Sequence, residues 1–241
     1  MLNQLLFIAL PYTALAIFLI GSIYRYLYKG FKVSSLSSQF LEGRKLFFGS
    51  QPFHWGLFML FFGHLIAFLF PTGVVAWNGS PVRLIILECT AFAFGISALW
   101  GLCALVYRRL TNRRVQIVTS RMDVIVYLVL FVQIISGLMV AYYSRYGSNW
   151  FASFLTPYLR SIFTFNPQID AVTTVNSIWL QVHIVSAFTI IAIIPFTRFV
   201  HFLVYPLDYL WRSYQLVIWN WDRKTIRTSR NQSVGHKSQN N

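Results

Sequence analysis

The chain of 241 residues carries five histidines, and four of them (His54, His64, His183 and His201) fall in or at the edge of two long apolar stretches. The fifth, His236, lies in a polar C-terminal stretch and reads as solvated. An imidazole is expensive inside a bilayer, so a membrane histidine is a functional candidate by default. A lone one is equally well explained by an interhelical hydrogen bond. Two pairs on two stretches, with none on the other apolar segments, ask for two sites. On a helix, His54 and His64 are separated by about 15 Å and His183 and His201 by about 27 Å. Neither pair can grip opposite faces of a single metal. Each helix therefore offers one ligand to each of two sites, His54 with His201 and His64 with His183. Crossed pairing would drive two bulky groups through each other. The object implied is two stacked bis-histidine haems. With no CxxCH in the chain the haem is b-type, and with both axial positions filled its remaining chemistry is electron transfer.

Such sites need helices to hold them, and the composition supplies membrane helices. Hydrophobic residues make up 56% of the chain and charged residues only 11%, well short of the quarter usual in a soluble domain. That balance also excludes a disordered chain. Two cysteines exclude a disulfide scaffold, a cysteine-ligated zinc site and an iron–sulfur protein. Five windows are apolar over the roughly 20 residues a bilayer requires: Leu5–Tyr24, Phe53–Phe70, Leu84–Tyr107, Val124–Tyr143 and Ile178–Val200. The first reads as a retained span, with no basic residue ahead of it and no cleavage site behind. The fold expected is all-α: five transmembrane helices forming a dihaem b bundle.

The net charge of +14 would suggest nucleic acid in a soluble protein; here it reflects basic loops, and no nucleic-acid partner is implied. Of the 20 Lys and Arg, 17 fall in the loops after spans one, three and five. Only Arg83, Arg145 and Arg160 fall in the other two connections. The positive-inside rule then puts the C-terminus in the cytoplasm and the N-terminus outside. His54 and His201 become the inner pair and His64 and His183 the outer pair. Residues 1–206 read as the membrane domain, and residues 207–241 as a cytoplasmic amphipathic segment with a basic tail. That tail suits either anionic lipid or partner subunits. The first half of the outer connection 144–177 reads either as a short interfacial helix or as a surface loop.

The supporting residues leave alternatives open. Ser50 and Pro52 suit a helix start. Gly56 and Gly63, seven apart, leave a groove for a flat ring or allow close helix packing. Arg108, Arg109 and Arg198 suit haem propionates or ordinary anchoring at the membrane face. Separations of about 15 Å and about 27 Å cannot both belong to straight helices along the normal. Pro195, lying between His183 and His201, can absorb part of the difference. Only Glu88 and Asp123 touch a span, each near an end, which argues against a proton pump or ion-coupled transporter.

The chain resembles the gamma, or cytochrome b, subunit of membrane-bound respiratory nitrate reductase. The likeness is densest in SSQFLEGRK through FHWGLFMLFFGHLIAFLFPT. It returns in LQVHIVSAFTIIAIIPFTRFVHFLVYPLDYLWRSYQLV, and ALVYRRL fits between them. The resemblance implies two b haems, the outer on His64 and His183 and the inner on His54 and His201. It also implies a quinol site beside the outer haem, for which Arg83 and Gly63 are the candidates; the family usually carries lysine where this chain has Arg83. It implies two soluble partners, an iron–sulfur (beta) and a molybdenum (alpha) subunit, and a bacterial or archaeal cytoplasmic membrane. The rival readings are the same module serving another reductase or a nitrite-oxidising complex, and a haem-free anchor or transporter.

Overall fold

The computed structural model describes residues 1–29, 44–144, 146–175 and 177–204. Five helices are long and apolar enough to cross a membrane: Leu2–Tyr28, Lys45–Leu69, Pro81–Thr111, Arg121–Tyr143 and Ile178–Phe196. These are spans one to five, and no strand occurs among the described residues. The expected amphipathic segment and tail at 207–241 lie outside the described residues.

Each span begins and ends where local chemistry allows. Span three opens on Pro81, whose missing N–H is no loss in a first turn, and closes at Asn112, which is extended. Its 31 residues make about 46 Å of helix, so its ends project beyond a hydrocarbon core of about 30 Å. Span four opens on a capping box: the Ser120 hydroxyl accepts from the Asp123 N–H while the Asp123 carboxylate accepts from the Ser120 N–H. Span two departs from the expected start at Ser50. Its helix already covers Arg44–Leu69 and carries Pro52 in its interior. Packing against span three holds the helix through that position: Ser97 donates to the Pro52 carbonyl at 3.1 Å, and a Cβ on Gly101 would meet the Gly49 carbonyl at 2.7 Å.

The spans pack in the order one, five, four, three, two. Spans two and three make the broadest contact, with Phe53, Ala98, Leu102, Leu130 and Ile134 as the shared core towards span four. Spans two and five make almost no direct helix–helix contact among the described residues, although span two carries His54 and His64, span five carries His183, and His201 opens the short helix that follows it. They face each other across a gap.

The connection between spans four and five is built of helical turns, Gly147–Trp150, Phe151–Leu155 and Thr156–Phe163, followed by Asp170–Thr174. It is neither a bare surface loop nor a helix lying alone in the interface. Tyr158 is 1% exposed and Ile162 2%, because both sit in a core formed with Phe7, Ala14, Leu180 and Ile184. Two reciprocal hydrogen bonds join it to span one: Tyr158 to the Phe7 carbonyl (2.8 Å) and Tyr12 to the Ile162 carbonyl (3.0 Å). Burial pushes the Tyr158 phenol above its ordinary range, so it remains protonated and a donor.

Candidate functional site

The gap between spans two and five holds the histidines in two facing pairs. The ring centroids of His54 and His201 are 6.2 Å apart, and those of His64 and His183 are 6.5 Å apart. Two imidazoles that share one metal, each bonded through nitrogen at about 2 Å with its ring centre about 1.1 Å beyond, have centroids about 6 Å apart. Both pairs meet that requirement. Every ring also commits its Nδ1 to a backbone carbonyl: Ser50 for His54 (2.8 Å), Leu60 for His64 (2.7 Å), Gln133 for His183 (3.0 Å) and Arg198 for His201 (2.6 Å). With Nδ1 carrying the proton, Nε2 becomes the basic nitrogen of each ring. That is the tautomer a metal-binding histidine needs, oriented by the usual carbonyl partner. The residues present fit the haem group on both counts.

The two histidine separations, about 15 Å on span two and about 27 Å on an unbroken span five, are reconciled by a break in span five. Its α-helix ends at Ile193, and a 3-10 turn covers Ile194–Phe196. Thr197 is extended, a second 3-10 turn covers Arg198–Val200, and a new helical turn begins at His201. Pro195 sits in the first of these turns, so His201 is not on the same regular helix as His183. The break is held from two sides. Arg25 of span one donates to the Pro195 (2.6 Å) and Thr197 (3.1 Å) carbonyls, which the lost helix leaves unsatisfied. Arg198 meets the Asp123 carboxylate at 2.9 Å and donates to the Val118 carbonyl at 2.9 Å.

Asp123 is visible in the sequence only as an acid near a span end; in the fold it is a hub. Arg109 contacts it at 3.1 Å, Arg198 contacts it as well, and its own helix start is capped by it. Arg109 and Arg198, expected as propionate partners or anchors, are therefore both engaged with a carboxylate. Arg109 Nε is nonetheless a buried donor with no partner. Arg108 is 2% exposed, deeper than an interfacial anchor would lie.

At the other end, Phe151 lies edge-on to His64, ring centroids 5.1 Å apart at 87°. The same segment caps span two: Arg160 donates to the Phe68 (2.8 Å) and Leu69 (3.0 Å) carbonyls. Gly56 and Gly63 part company here. A Cβ on Gly56 would meet the Phe94 carbonyl at 2.6 Å, so this glycine serves close packing, whereas a Cβ on Gly63 would meet nothing within 4 Å. Arg83 lies over the Trp77 ring at 5.2 Å. Trp77 in turn lines an apolar groove of about 340 Å³ with Ile66, Phe70, Gly73, Val74 and Leu87. Arg83 does not touch His64 directly. Gly63, three positions before Ile66 and seven before Phe70, lies on the helix face that lines this groove, one position from His64.

The fold and site define a five-span membrane bundle in which His54 and His64 of one helix face His201 and His183 across two levels. The chain is a member of the nitrate reductase gamma subunit family, whose model matches residues 3–220. It is 35% identical over 217 residues to the nitrate reductase gamma chain of Bacillus subtilis, covering 89% of this chain and 97% of that one. It is 32% identical over 219 residues to the respiratory nitrate reductase 2 gamma chain of Escherichia coli, covering 90% and 96%. It is also 31% identical over 230 residues to the nitrate reductase-like protein NarX of Mycobacterium tuberculosis, covering 89% of this chain and 33% of that protein. The chain is thus a multi-pass bacterial membrane protein and a component of a nitrate reductase, an oxidoreductase complex.

Proposed function

We propose that the chain is the quinol-oxidising cytochrome b subunit of respiratory nitrate reductase, holding two b haems in the gap between spans two and five. The observation that carries this reading is the matched spacing of both histidine pairs, 6.2 Å and 6.5 Å, each ring in the metal-ready tautomer. Bound haem supplies a one-electron carrier at each level of the membrane. His54 and His201 hold the inner group, and His64 and His183 hold the outer one. With two histidines to each group, the four side chains would hold both haems and leave electron transfer as the chemistry they supply.

Quinol binds on the outer side, with its tail in the apolar groove under Trp77 and its ring towards Gly63, whose missing side chain leaves room beside His64. Arg83 at the groove's rim donates a hydrogen bond to a quinol oxygen; a guanidinium is always charged and cannot take the proton. Arg109, through its unpartnered Nε, and Arg198 steady a propionate at the inner level. Electrons leave on the cytoplasmic face to an iron–sulfur (beta) subunit and from there to a molybdenum (alpha) subunit, where nitrate is reduced. Residues 1–206 form the membrane domain, and 207–241 dock those partners.

The test is haem stoichiometry. A pyridine-haemochrome assay on the purified chain returns two b haems per polypeptide, both low-spin. A protein that carries none despite full membrane insertion is instead a haem-free anchor or transporter, and this reading fails.

A further inference from the structure

His183 is set into span four more firmly than a carbonyl contact requires. Its Nδ1 lies 3.0 Å from the Gln133 carbonyl and 3.1 Å from the Ser136 hydroxyl. Its Nε2 lies 3.1 Å from the Gln133 side-chain amide nitrogen. The amide is itself held, since Ser186 donates to its oxygen at 2.5 Å. Beneath the ring is Gly137, where a Cβ would stand 2.8 Å from His183 Cε1. Ser136 and Ser186 are 1% and 6% exposed, so water does not compete for these bonds.

The donors and acceptors allow one protonation pattern. An amide NH2 only donates, so the Nε2 it faces must present a lone pair. The proton is then on Nδ1, shared between the Gln133 carbonyl and the Ser136 oxygen. Ser136 in turn donates its own hydrogen to that carbonyl at 3.1 Å. This is the state in which Nε2 can take a metal, and the Gln133 amide occupies the lone pair that the metal would use. His64, the proposed opposite ligand, is met by its own helix carbonyl and the Phe151 edge, with no comparable seat. At the inner level His54 Nδ1 also meets a hydroxyl, that of Ser50 at 3.0 Å; the amide at Nε2 and the glycine beneath the ring are features of the His183 seat.

We propose that Gln133, Ser136 and Gly137 are positioning residues for the outer haem. Gln133 holds His183 Nε2 in the metal-ready tautomer until iron replaces its N–H. Gly137 clears the plane in which the imidazole lies. Ser136 accepts from Nδ1–H and so strengthens the nitrogen that faces the metal. The proposal rests on the dihaem reading above. A more basic axial imidazole stabilises the oxidised metal, so loss of the Ser136 acceptor raises the outer potential.

The experiment uses the full membrane-inserted chain, with haem content and redox titration of each haem as readouts. Gly137→Ala is expected to lower the content from two haems per chain to one and leave the inner spectrum intact. Gln133→Leu is expected to take up the outer haem substoichiometrically at full inner occupancy. Ser136→Ala keeps both haems, and the outer reduction equilibrium moves about tenfold towards the reduced form, about 59 mV for one electron, while the inner stays fixed. If Gly137→Ala loses both haems through misfolding, the other two variants decide. Full outer occupancy in Gln133→Leu together with an unmoved outer potential in Ser136→Ala overturns the proposal. A wild-type chain without two haems fails the dihaem reading instead, which keeps the two failures distinct.

Discussion

The four histidines differ in how much of the protein stands behind each, and that difference predicts separable phenotypes. His64 and His183 face each other at one level, and His54 and His201 face each other at the other. His64→Ala or His183→Ala should therefore remove one haem and abolish quinol-dependent reduction of the other. His201→Ala should leave the outer haem reducible by quinol and block onward transfer to the cytoplasmic face. The measurement is the optical spectrum of each variant reduced by quinol and then by dithionite. Indistinguishable spectra from the two classes would dissolve the proposed pairing. The histidines are legible in the sequence because imidazole in an apolar segment is conspicuous. Gln133 and Ser136 are not, since each touches His183 only through contacts about 50 positions apart, and a polar residue in a span carries no label for its partner.

The break in span five is the element on which the inner site depends. A continuous α-helix would carry His201 about 27 Å from His183, out of register with the step of about 15 Å on span two. The chain leaves that straight helical path between Ile194 and Val200, where 3-10 turns and an extended Thr197 let it change direction, and it satisfies the released carbonyls with Arg25. Arg198 within the break is pinned by Asp123, which also binds Arg109. Two of these three charged side chains are mostly buried, 9% exposed for Asp123 and 12% for Arg109. Removing the shared carboxylate leaves the mostly buried Arg109 guanidinium without its counter-charge, a cost of about 3–5 kcal/mol when a buried pair loses one partner. Asp123→Ala is accordingly expected to lower thermal stability and to deplete the inner haem, with the outer haem retained. Arg25→Ala should deplete the same haem with a smaller stability loss, because it leaves carbonyls and not charges uncompensated. Equal loss of both haems, or loss of the outer alone, in a haem-resolved redox titration would show that the break does not govern His201. Hydropathy finds all five spans, since length and apolarity are local properties. Pro195 announces that span five bends. The direction of the bend and its fastening by Arg25 and Asp123 come from other spans, which no window on span five contains. The same limit hides the start of span two: Ser50 and Pro52 suit a helix N-terminus in isolation, and only the contact with Ser97 and Gly101 explains why the helix runs through them.

At the scale of the whole molecule, the two histidine levels and the loop charges define a direction. Among the described residues, Arg109, Asp123 and Arg198 lie at the end with His201, and the positive-inside reading of the loop sequences proposes that this end faces the cytoplasm. On the proposed reading, quinol near His64 gives up its protons on the outside while its electrons travel inward. Each electron moved towards the negative side works against the membrane potential, at about 2.3 kcal/mol per 100 mV. The proposal requires a redox drop from quinol to nitrate larger than this, and the charge separation it implies would conserve energy without a proton channel through the bundle. The described spans fit that arrangement: their acids, Glu88 and Asp123, lie near helix ends and not midway across. The expected outcome in sealed vesicles of known orientation, fed quinol and nitrate in the complete complex, is acidification on the face opposite the basic loops. Arg83→Ala should slow that acidification at least about tenfold while both haem spectra persist, since Arg83 meets the Trp77 ring and the Ala76 carbonyl at the groove's rim and no histidine. An Arg83→Ala complex working at the wild-type rate would reduce this residue to a headgroup anchor. Acidification on the basic face would move quinol oxidation to the His54 and His201 level and reverse the direction of electron flow assigned to the bundle.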